Sequence, residues 1–358
     1  MTRNPFFRIL LAAVSLECAA WGQVSFLRNN SILNSLQSVT GSTIPSNGDL
    51  NPYGVAFVPA GFPSGGTIAA GDVLVANFNS SGNTQGTGTT IVSASPSGQQ
   101  SLFATSPLPG VDTALGVLSS GYVVVGNLPV TYPNNVPTPG QGSLQIFDRN
   151  GHLVSTLNDT NLLSSPWGLT INDQGAAAHV FVSNATGNVT RLNLSINNNG
   201  VTVISKTQIG AGYTSKLIPA VVVTGPTGLA YDSVRDTLFV ASTADNEIFG
   251  ISNASTRTSG SDTGFVVFAD QTNLHGPLGL AFGPNGNLIA ANGDAVNAGG
   301  TQNALVEFTE QGSLVATYGG APGAAFGIAS ANSEGAVRFA AVDDDLNTLT
   351  VWTLRSPF

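Results

Sequence analysis

Short apolar runs separated by turn-forming residues recur along the chain in groups, and the first run of each group contains a glycine. In the clearest copies a proline lies two positions before that glycine, as in Pro52-Tyr53-Gly54-Val55, Pro166-Trp167-Gly168-Leu169, Pro226-Thr227-Gly228-Leu229 and Pro277-Leu278-Gly279-Leu280. Looser copies contain Gly116 and Gly327. Successive glycines are 62, 52, 60, 51 and 48 residues apart. A period near this length, with several strands in each unit, is typical of propeller blades.

Each glycine run is followed by a similar series of further apolar runs. In the group that begins at Pro277, these runs are Leu288–Ala291, Leu305–Phe308 and Leu314–Tyr318. They have the length of strands, they are rich in β-branched and aromatic residues, and turn residues separate them. No part of the chain after the N-terminal segment shows sustained helical periodicity. Six copies of a four-strand unit predict an all-β fold, a six-bladed β-propeller with four antiparallel strands per blade.

The sixth copy ends after its third run, so the last blade lacks a strand. We expect an N-terminal strand, at either Val24–Leu27 or Leu36–Val39, to complete the last blade and close the ring, because this removes an open strand edge. The glycines then lie on the innermost strands, where a residue without a Cβ lets neighbouring backbones approach. We interpret them as scaffold residues rather than binding residues.

Composition narrows the classes of function. Hydrophobic residues make up 42% of the chain and charged residues only 9%, so the surface is mostly neutral and polar. The formal net charge is −9, and the chain contains two lysines, Lys206 and Lys216. A chain without a basic patch is not suited to binding nucleic acid or anionic lipid. We therefore exclude nucleic acid as a partner.

The N-terminus has the pattern of a secretory signal peptide. Arg3 and Arg8 precede a short apolar stretch, and small residues at Ala20 and Gly22 predict cleavage before Gln23. This divides the chain into a signal peptide, residues 1–22, and a single propeller domain, residues 23–358. The only cysteine, Cys18, falls in the signal, so the mature chain has no disulfide bond. We predict a secreted or periplasmic bacterial protein, a monomer without a membrane span.

The loops between second and third strands share one face of a propeller with the connections between blades, and they differ greatly in length here. Blades one, two and five have long loops at Phe78 to Thr89, Leu128 to Gly142 and Gly293 to Asn303, and a further long connection at Lys206 to Thr224 joins blades three and four. Long loops on one face of a rigid scaffold often carry function. Neutral drift at tolerant surface positions is the alternative interpretation.

Asparagine or aspartate ends most of the second strands. The positions are Asn77, Asn127, Asn184, Asn292 and Asp343, and blade four has Ser242-Thr243 instead. Amide and carboxylate oxygens around one axial mouth can hold Ca²⁺ or another divalent cation. The alternative is that each asparagine caps its strand end through local hydrogen bonds. The cluster Asp343-Asp344-Asp345 is a further weak Ca²⁺ candidate, because it lacks the ligand spacing of a dedicated loop.

The stretch from Gly228-Leu229-Ala230-Tyr231-Asp232 through Leu238-Phe239-Val240-Ala241 to Asp245-Asn246-Glu247-Ile248 resembles the NHL repeat. The chain is thus similar to secreted bacterial NHL-repeat-like propellers and, more distantly, to gluconolactonase-like propellers. The second resemblance implies a catalytic divalent metal near the axis, held by a Glu, two Asn and an Asp. Asn184, Asn292 and Asp343 match three of these positions, whereas the first blade, Asn51 to Val58, lacks the glutamate.

Two functions follow from these patterns. The first is a non-catalytic propeller that binds a ligand, glycan or protein on its long-loop face. No serine elbow, phosphate loop or metalloprotease motif is present, and His152, His179 and His275 have no neighbours at ligand spacing; we interpret these histidines as ordinary surface or edge residues. The alternative is a metal-dependent, lactonase-like hydrolase with a cation at the axial mouth, at Asn184, Asn292 and Asp343.

Overall fold

The structure is a computed structural model. It describes residues 33 and 36–355, apart from residues 198, 219–221, 294–295, 298–302, 321–322 and 334–335. In this part of the chain the strands form six antiparallel sheets of four strands and two small ladders in loops. This confirms the prediction of an all-β, six-bladed propeller. None of the helices in the described ranges is long and apolar enough to cross a membrane.

The first three blades contain the strands between residues 50 and 211. Blade 1 comprises β2 (Leu50–Phe57), β3 (Val73–Asn79), β4 (Thr90–Ala94) and β5 (Gln100–Thr105). Blade 2 comprises β6 (Val111–Leu118), β7 (Tyr122–Asn127), β10 (Ser143–Asp148) and β11 (Leu153–Leu157), and its long loop contains β8 (Val130–Thr131), a short 3-10 turn (Pro133–Asn135) and β9 (Thr138–Pro139). Blade 3 comprises β12 (Pro166–Asp173), β13 (Ala177–Asn184), β14 (Asn188–Asn197) and β15 (Gly200–Ala211).

The last three blades follow a two-stranded ladder of β16 (Lys216–Ile218) and β17 (Val222–Thr224). Blade 4 comprises β18 (Pro226–Asp232), β19 (Thr237–Ser242), β20 (Glu247–Ser252) and β21 (Phe265–Phe268). Blade 5 comprises β22 (Pro277–Phe282), β23 (Leu288–Asn292), β24 (Leu305–Phe308) and β25 (Leu314–Tyr318). Blade 6 comprises β26 (Ala325–Ser333), β27 (Ala336–Asp343) and β28 (Thr348–Arg355), with β1 (Gln37–Ser42) as its outer strand.

The ring is closed by the N-terminal strand. Strand β1 pairs antiparallel with β28, from Gln37 opposite Thr353 to Ser42 opposite Thr348. This agrees with the second predicted position, Leu36–Val39, extended toward the C-terminal side. The other predicted position, Val24–Leu27, and the predicted signal peptide lie outside the described residues. Most side chains of β1 are exposed, so backbone pairing rather than apolar burial holds this strand.

The glycines of the innermost strands lie where neighbouring blades approach most closely. A Cβ built on Gly54 would lie 2.5 Å from the carbonyl oxygen of Asp112 in blade 2, and one on Gly279 would lie 2.5 Å from that of Phe326 in blade 6. These distances are far below van der Waals contact. Each obstacle is backbone, which cannot rotate away as a side chain can. The predicted scaffold role of these glycines is therefore confirmed.

Blade 2 departs from the predicted pattern, because Gly116 is not the counterpart of the other glycines. Strand register places Leu115 opposite Val125, as Val55 lies opposite Val75 in blade 1, so the equivalent of Gly54 is Ala114. In blade 2 the space for Ala114 is left by Gly126 on the adjacent strand. A Cβ built on Gly126 would overlap the Cβ of Ala114. Alanine and glycine have thus exchanged strands in this blade.

One end of the central channel is closed by an aromatic group, here called the axial plug: Tyr53, Phe78, Trp167 and Phe326. The Tyr53 ring stacks on Phe326 with centroids 3.6 Å apart and on Phe78 at 4.6 Å. Trp167 packs edge-on against Phe78 at 5.5 Å. These side chains come from blades 1, 3 and 6, and blade 3 is adjacent to neither of the others. Side chains of such blades can meet only across the axis.

Candidate functional site

The first strands begin, and the second strands end, on the same face of the ring as the axial plug. We call this the long-loop face, and it carries residues 80–89, 128–142, 212–218 and 222–225. The predicted long loops of blades 1 and 2 are confirmed, since β3 ends at Asn79 and β4 begins at Thr90, while β7 ends at Asn127 and β10 begins at Ser143. Most of the blade 5 loop between Gly293 and Asn303 lies outside the described residues.

The predicted connection from Lys206 to Thr224 was wrong at its start. Strand β15 continues to Ala211, because its long ladder with β14 pairs Lys206 with Leu192 and Ala211 with Asn188. Lys206 therefore lies in the outer strand, where its Nζ is 2.6 Å from Oδ2 of Asp159. The connection itself begins at residue 212 and contains the β16–β17 ladder.

The long loop of blade 2 is folded into a hairpin that rests on the loop of blade 1. Val130 pairs with Pro139 and Thr131 with Thr138. The Tyr132 hydroxyl donates a hydrogen bond of 2.9 Å to the carbonyl of Gln85. The two loops therefore form one continuous surface, and the ladder holds the hairpin in a defined conformation.

The base of this surface is apolar and covers the axial plug. Leu128, Val130 and Val222 are buried at 0%, 6% and 0% exposure, and all three belong to the same core cluster as Tyr53 and Trp167. The blade 2 hairpin and the connection between blades 3 and 4 thus contribute side chains to one core over the channel. Because these roots are buried, the loops are anchored by the hydrophobic effect as well as by hydrogen bonds.

The exposed parts of the blade 1 and blade 2 loops carry neutral polar side chains, whereas Lys216 in the connection between blades 3 and 4 is exposed and charged. Residues 80–89 and 128–142 contain no Asp, Glu, Lys, Arg or His. At the hairpin tip, Asn134 and Asn135 have positive φ values of 54° and 61°, and both are exposed. Asparagine tolerates this left-handed conformation better than most residues. The neighbouring Val136 is 49% exposed, so the tip offers amide groups beside an apolar side chain.

The asparagines at the ends of the second strands hold the blade connections. Asn77 donates from Nδ2 to the Thr43 carbonyl at 3.1 Å, and Asn127 donates to the Pro109 carbonyl at 3.1 Å. In blade 4, which lacks this asparagine, Asp245 accepts hydrogen bonds from the Thr214 backbone and the Ser242 hydroxyl. A polar side chain thus fastens the incoming chain to each of these blades.

Asn184 and Asn292 have the same contacts and are fully buried. Asn184 donates to the Leu162 carbonyl at 3.0 Å and accepts from the Ser165 backbone at 3.2 Å. Asn292 donates to the Asn273 carbonyl at 2.8 Å and accepts from the His275 backbone at 3.0 Å. His275 is itself fully buried, with Nδ1 2.6 Å from the Asn297 carbonyl. Our interpretation of His275 as an ordinary surface or edge residue was wrong, because it is buried.

Asp343 lies at the equivalent strand end of blade 6, and its Oδ1 accepts from the Leu346 backbone at 2.9 Å. Within the described ranges, one group of three carboxylates can converge: Asp343, Asp344 and Asp345, with oxygens within 4.8 Å of one another. The amide oxygens of Asn184 and Asn292 are buried and already accept hydrogen bonds. They fit a cation poorly as arranged, and the metal site at Asn184, Asn292 and Asp343 stays a prediction.

Asp49 and Asp112 are among the buried carboxylates that were not singled out from the sequence. Oδ2 of Asp49 accepts from the backbone of Thr89 at 3.0 Å and from the backbone and hydroxyl of Thr90 at 3.1 and 2.9 Å. It fixes the end of the blade 1 loop. Asp112 is fully buried beside the axis, with Oδ1 accepting from the Ala114 backbone at 2.9 Å. Burial raises the pKa of Asp112 well above its usual value.

Fold and loops together define a six-bladed β-propeller with its axis closed on the long-loop face. No protein-family model matches the chain, and no curated protein matches its sequence. Solved structures match it as a fold. The likeness to gluconolactonase-like propellers is thereby confirmed for the architecture.

Three of these structures have TM-scores above 0.5. A catalytically inactive virginiamycin B lyase from Staphylococcus aureus with quinupristin is 14% identical, with a TM-score of 0.51, covering 89% of this chain and 100% of its own. A gluconolactonase from Xanthomonas campestris is 12% identical, with a TM-score of 0.53 and coverages of 89% and 90%. The calcium-binding protein regucalcin from Agrobacterium tumefaciens is 14% identical, with a TM-score of 0.52 and coverages of 89% and 95%. At such identities the likeness concerns the fold alone.

Proposed function

We propose that this protein is a non-catalytic binding propeller, and that it holds a ligand, glycan or protein on its long-loop face. The observation that carries the proposal is the anchored hairpin of blade 2. Its root is buried over the axial plug, Tyr132 joins it to the blade 1 loop, and its tip presents Asn134, Asn135 and Val136 to solvent. A rigid base beneath an exposed polar tip is favourable for recognition, because little conformational entropy is lost on binding.

The chemistry of this face favours a partner that is itself uncharged. Thr, Gly, Asn, Ser and Pro make up most of residues 80–89 and 128–142, which also contain Tyr132. Such residues supply adaptable hydrogen bonds and, in tyrosine, a rigid amphipathic contact, as they do in antibody binding loops. Hydroxyl-rich glycans and neutral protein surfaces offer matching donors and acceptors. We propose that the protein acts as a secreted or periplasmic monomer, since its N-terminal sequence has the pattern of a signal peptide.

The test removes the tip amides without disturbing the backbone. In the double variant Asn134→Gly/Asn135→Gly the positive φ values remain accessible, because glycine adopts them readily. The matched control is Asn253→Gly, an exposed asparagine with φ 54° that follows β20 and therefore lies on the opposite face. Labelled wild-type and variant proteins are applied to arrays of neutral glycans and of immobilised extracellular proteins.

We expect the wild type and Asn253→Gly to bind the same array members. The double variant should bind them with an affinity that is lower by about tenfold or more. Equal binding by the double variant would contradict the choice of face. A wild type that binds nothing on either array would contradict a recognition role for it.

The second candidate function is a metal-dependent, lactonase-like hydrolase. Its support is the group of Asp343, Asp344 and Asp345 and the fold shared with a gluconolactonase. The bound cation would supply Lewis acidity toward a carbonyl group. Metal analysis of the purified protein, with Asp343→Ala as the comparison, tests this candidate. A wild type that retains no divalent metal and keeps its stability in chelator would rule it out.

A further inference from the structure

The face opposite the long-loop face contains the wide end of the central channel. A cavity of ≈ 390 Å³ opens there, lined by the second halves of the innermost strands β2, β6, β12, β18, β22 and β26. Toward the long-loop face it narrows to a space of ≈ 40 Å³ between residues such as Leu278, Phe326 and the glycines. The axial plug of Tyr53, Phe78, Trp167 and Phe326 lies beyond this constriction. The cavity is therefore a blind pit rather than a through channel.

The side chains that line the pit are mainly aliphatic, and polar backbone groups lie between them. A ring of equivalent residues, one from each blade, surrounds its inner end: Val55, Leu115, Leu169, Leu229, Leu280 and Ile328. The wider part adds Phe57, Ile171 and Phe282. Its polar side chains are Thr170, Tyr231, Ser330 and Asn332. Small-molecule sites are likewise concave, combine apolar side chains with polar groups that fix orientation, and occupy about 300–1,000 Å³.

The pit contains no formal charge of its own. None of its lining residues is Asp, Glu, Lys, Arg or His. The Tyr231 hydroxyl donates to Oδ1 of Asp236 at 2.9 Å, and burial together with that carboxylate raises the pKa of Tyr231 to about 12. Tyr231 is therefore neutral across the physiological range. Arg338, which packs over the Phe57 ring at 4.9 Å, donates its guanidinium group to the Gly71 carbonyl.

Hydrogen-bonding groups reach the pit mainly from the backbone. Each innermost strand is the edge strand of its blade, since it pairs with one neighbour only. An edge strand leaves a row of N–H and C=O groups without sheet partners. Six such edges surround the pit, so donors and acceptors alternate with the aliphatic side chains. This combination suits a molecule that has an apolar body and a few neutral polar groups.

From this geometry we infer that the pit is a binding site for a compact, uncharged small molecule with an apolar body and hydroxyl, carbonyl or arylamine groups. The apolar body of such a ligand gains free energy by displacing water from the aliphatic side chains, and its neutral polar groups can pair with the backbone edges. A charged ligand would lose its hydration without meeting a counter-ion. The site is on the opposite face from the proposed recognition loops and does not depend on them.

The test uses a neutral probe and its charged relative. N-phenyl-1-naphthylamine is uncharged and fluoresces strongly in apolar surroundings, and 1-anilinonaphthalene-8-sulfonate has the same ring system with a sulfonate added. Fluorescence titration of the full chain should give saturable binding of one N-phenyl-1-naphthylamine per protein. We expect the affinity for the sulfonate to be lower by about tenfold or more, because the pit offers no cation.

Variants locate the probe. Thr170→Phe fills the pit from its wall, and Ser330→Phe narrows its mouth at an exposed position where the fold tolerates the change. The matched control is Ser81→Phe, an exposed serine on the long-loop face. We expect both pit variants to weaken probe binding about tenfold or more and Ser81→Phe to leave it unchanged. If Thr170→Phe fails to fold, Ser330→Phe carries the comparison.

Three results would overturn the inference: no saturable binding of the neutral probe, equal binding of the sulfonate, or weakening by Ser81→Phe and not by Ser330→Phe. The variant Asn134→Gly/Asn135→Gly separates this site from the long-loop face. It should bind the probe as the wild type does even where it has lost its array partners. Failure of either proposal is therefore visible without the other.

Discussion

At the scale of single residues, the asparagines at the strand ends act as clamps between blades. Asn292 holds three backbone groups, from His275, Asn273 and Asn303, at 3.0, 2.8 and 3.1 Å. We expect Asn292→Ala to lower the free energy of unfolding by about 2–4 kcal/mol, because buried backbone groups lose their partner. Denaturant unfolding followed by tryptophan fluorescence measures this change.

Asp343→Ala is the natural comparison, since Asp343 occupies the equivalent strand end and accepts one hydrogen bond near the surface. Its expected cost is about 1 kcal/mol. Equal costs for Asn292→Ala and Asp343→Ala would show that the asparagine is not a clamp. A cost for Asp343→Ala that appears only when divalent cations are present would favour the metal site instead.

The exchange of alanine and glycine in blade 2 has a measurable signature. Gly126→Ala would bring two Cβ atoms into overlap, and the expected cost is about 1–3 kcal/mol. The double variant Ala114→Gly/Gly126→Ala should recover about 1 kcal/mol of this, because one obstacle is removed while Oδ1 of Asp112 remains 2.6 Å from the built Cβ. A double-mutant cycle in denaturant tests the coupling. Strictly additive costs would contradict the direct contact.

Asp112 should make stability fall as the pH rises. Its pKa is raised in the folded state by burial, so between about pH 4 and that raised value the folded protein binds more protons than the unfolded chain. The stabilisation that Asp112 contributes is complete below about pH 4 and is lost as the pH rises toward and through the raised pKa of the folded state. We therefore expect Asp112→Asn to be more stable than the wild type at about pH 7 and similar at about pH 3. Thermal unfolding across this range checks both ends.

Part of this residue-scale account is readable in the sequence. The glycines of the innermost strands were predicted as close-approach positions, because a recurring glycine in an apolar strand indicates backbone contact. The exchange at Ala114 was missed, since Gly116 gave a false copy two positions away. Counting back from Asn127 would have found it: the preceding residue is Gly126, where blades 1 and 5 have Ala76 and Ala291. The burial of Asp112 has no sequence signal, because it depends on neighbouring blades.

At the scale of elements, closure of the ring depends on a strand that buries little side-chain surface. Strand β1 is mostly exposed, and its contribution is the ladder to β28. The variant Val39→Pro/Thr40→Pro removes two consecutive backbone N–H groups. Alternate residues of an antiparallel strand direct their N–H groups to the partner strand, so one of the two lost groups belongs to the ladder with β28. We expect a loss of about 2–4 kcal/mol in the free energy of unfolding and concentration-dependent association through the exposed edge of β28.

Val39→Ala/Thr40→Ala is the control for that change, since it shortens the same side chains and keeps both N–H groups. It should remain monomeric by size-exclusion chromatography and lose little stability. Similar behaviour of the proline and alanine variants would mean that β1 is not needed for closure.

Element prediction from sequence succeeded where a strand has its own apolar pattern and failed where tertiary pairing extends it. Residues 200–211 contain a run of four polar residues, Ser205 to Gln208, and most of their side chains are partly or fully exposed, so their pairing with β14 is a property of the blade more than of the segment. The start of the connection after blade 3 was misplaced for this reason. The blade 2 hairpin was predicted as a loop, because four prolines conceal its short ladder.

At the scale of the whole molecule, the two loops proposed for recognition carry no formal charge. The chain has a formal net charge of −9, but residues 80–89 and 128–142 are neutral. Binding at the long-loop face should therefore depend little on ionic strength, with affinity changing less than about threefold between about 0.05 M and 0.5 M salt. Binding that weakens steeply with salt would indicate an electrostatic surface elsewhere on the ring.

The most direct test of the account is the affinity of an array-identified partner for the wild type, Asn134→Gly/Asn135→Gly and Asn253→Gly, measured by titration calorimetry. Recognition through the long-loop face predicts that the affinity falls by about tenfold or more in the double variant alone, with all three proteins equally stable. Unchanged affinity in the double variant, or an equal loss in Asn253→Gly, would contradict recognition through the long-loop face.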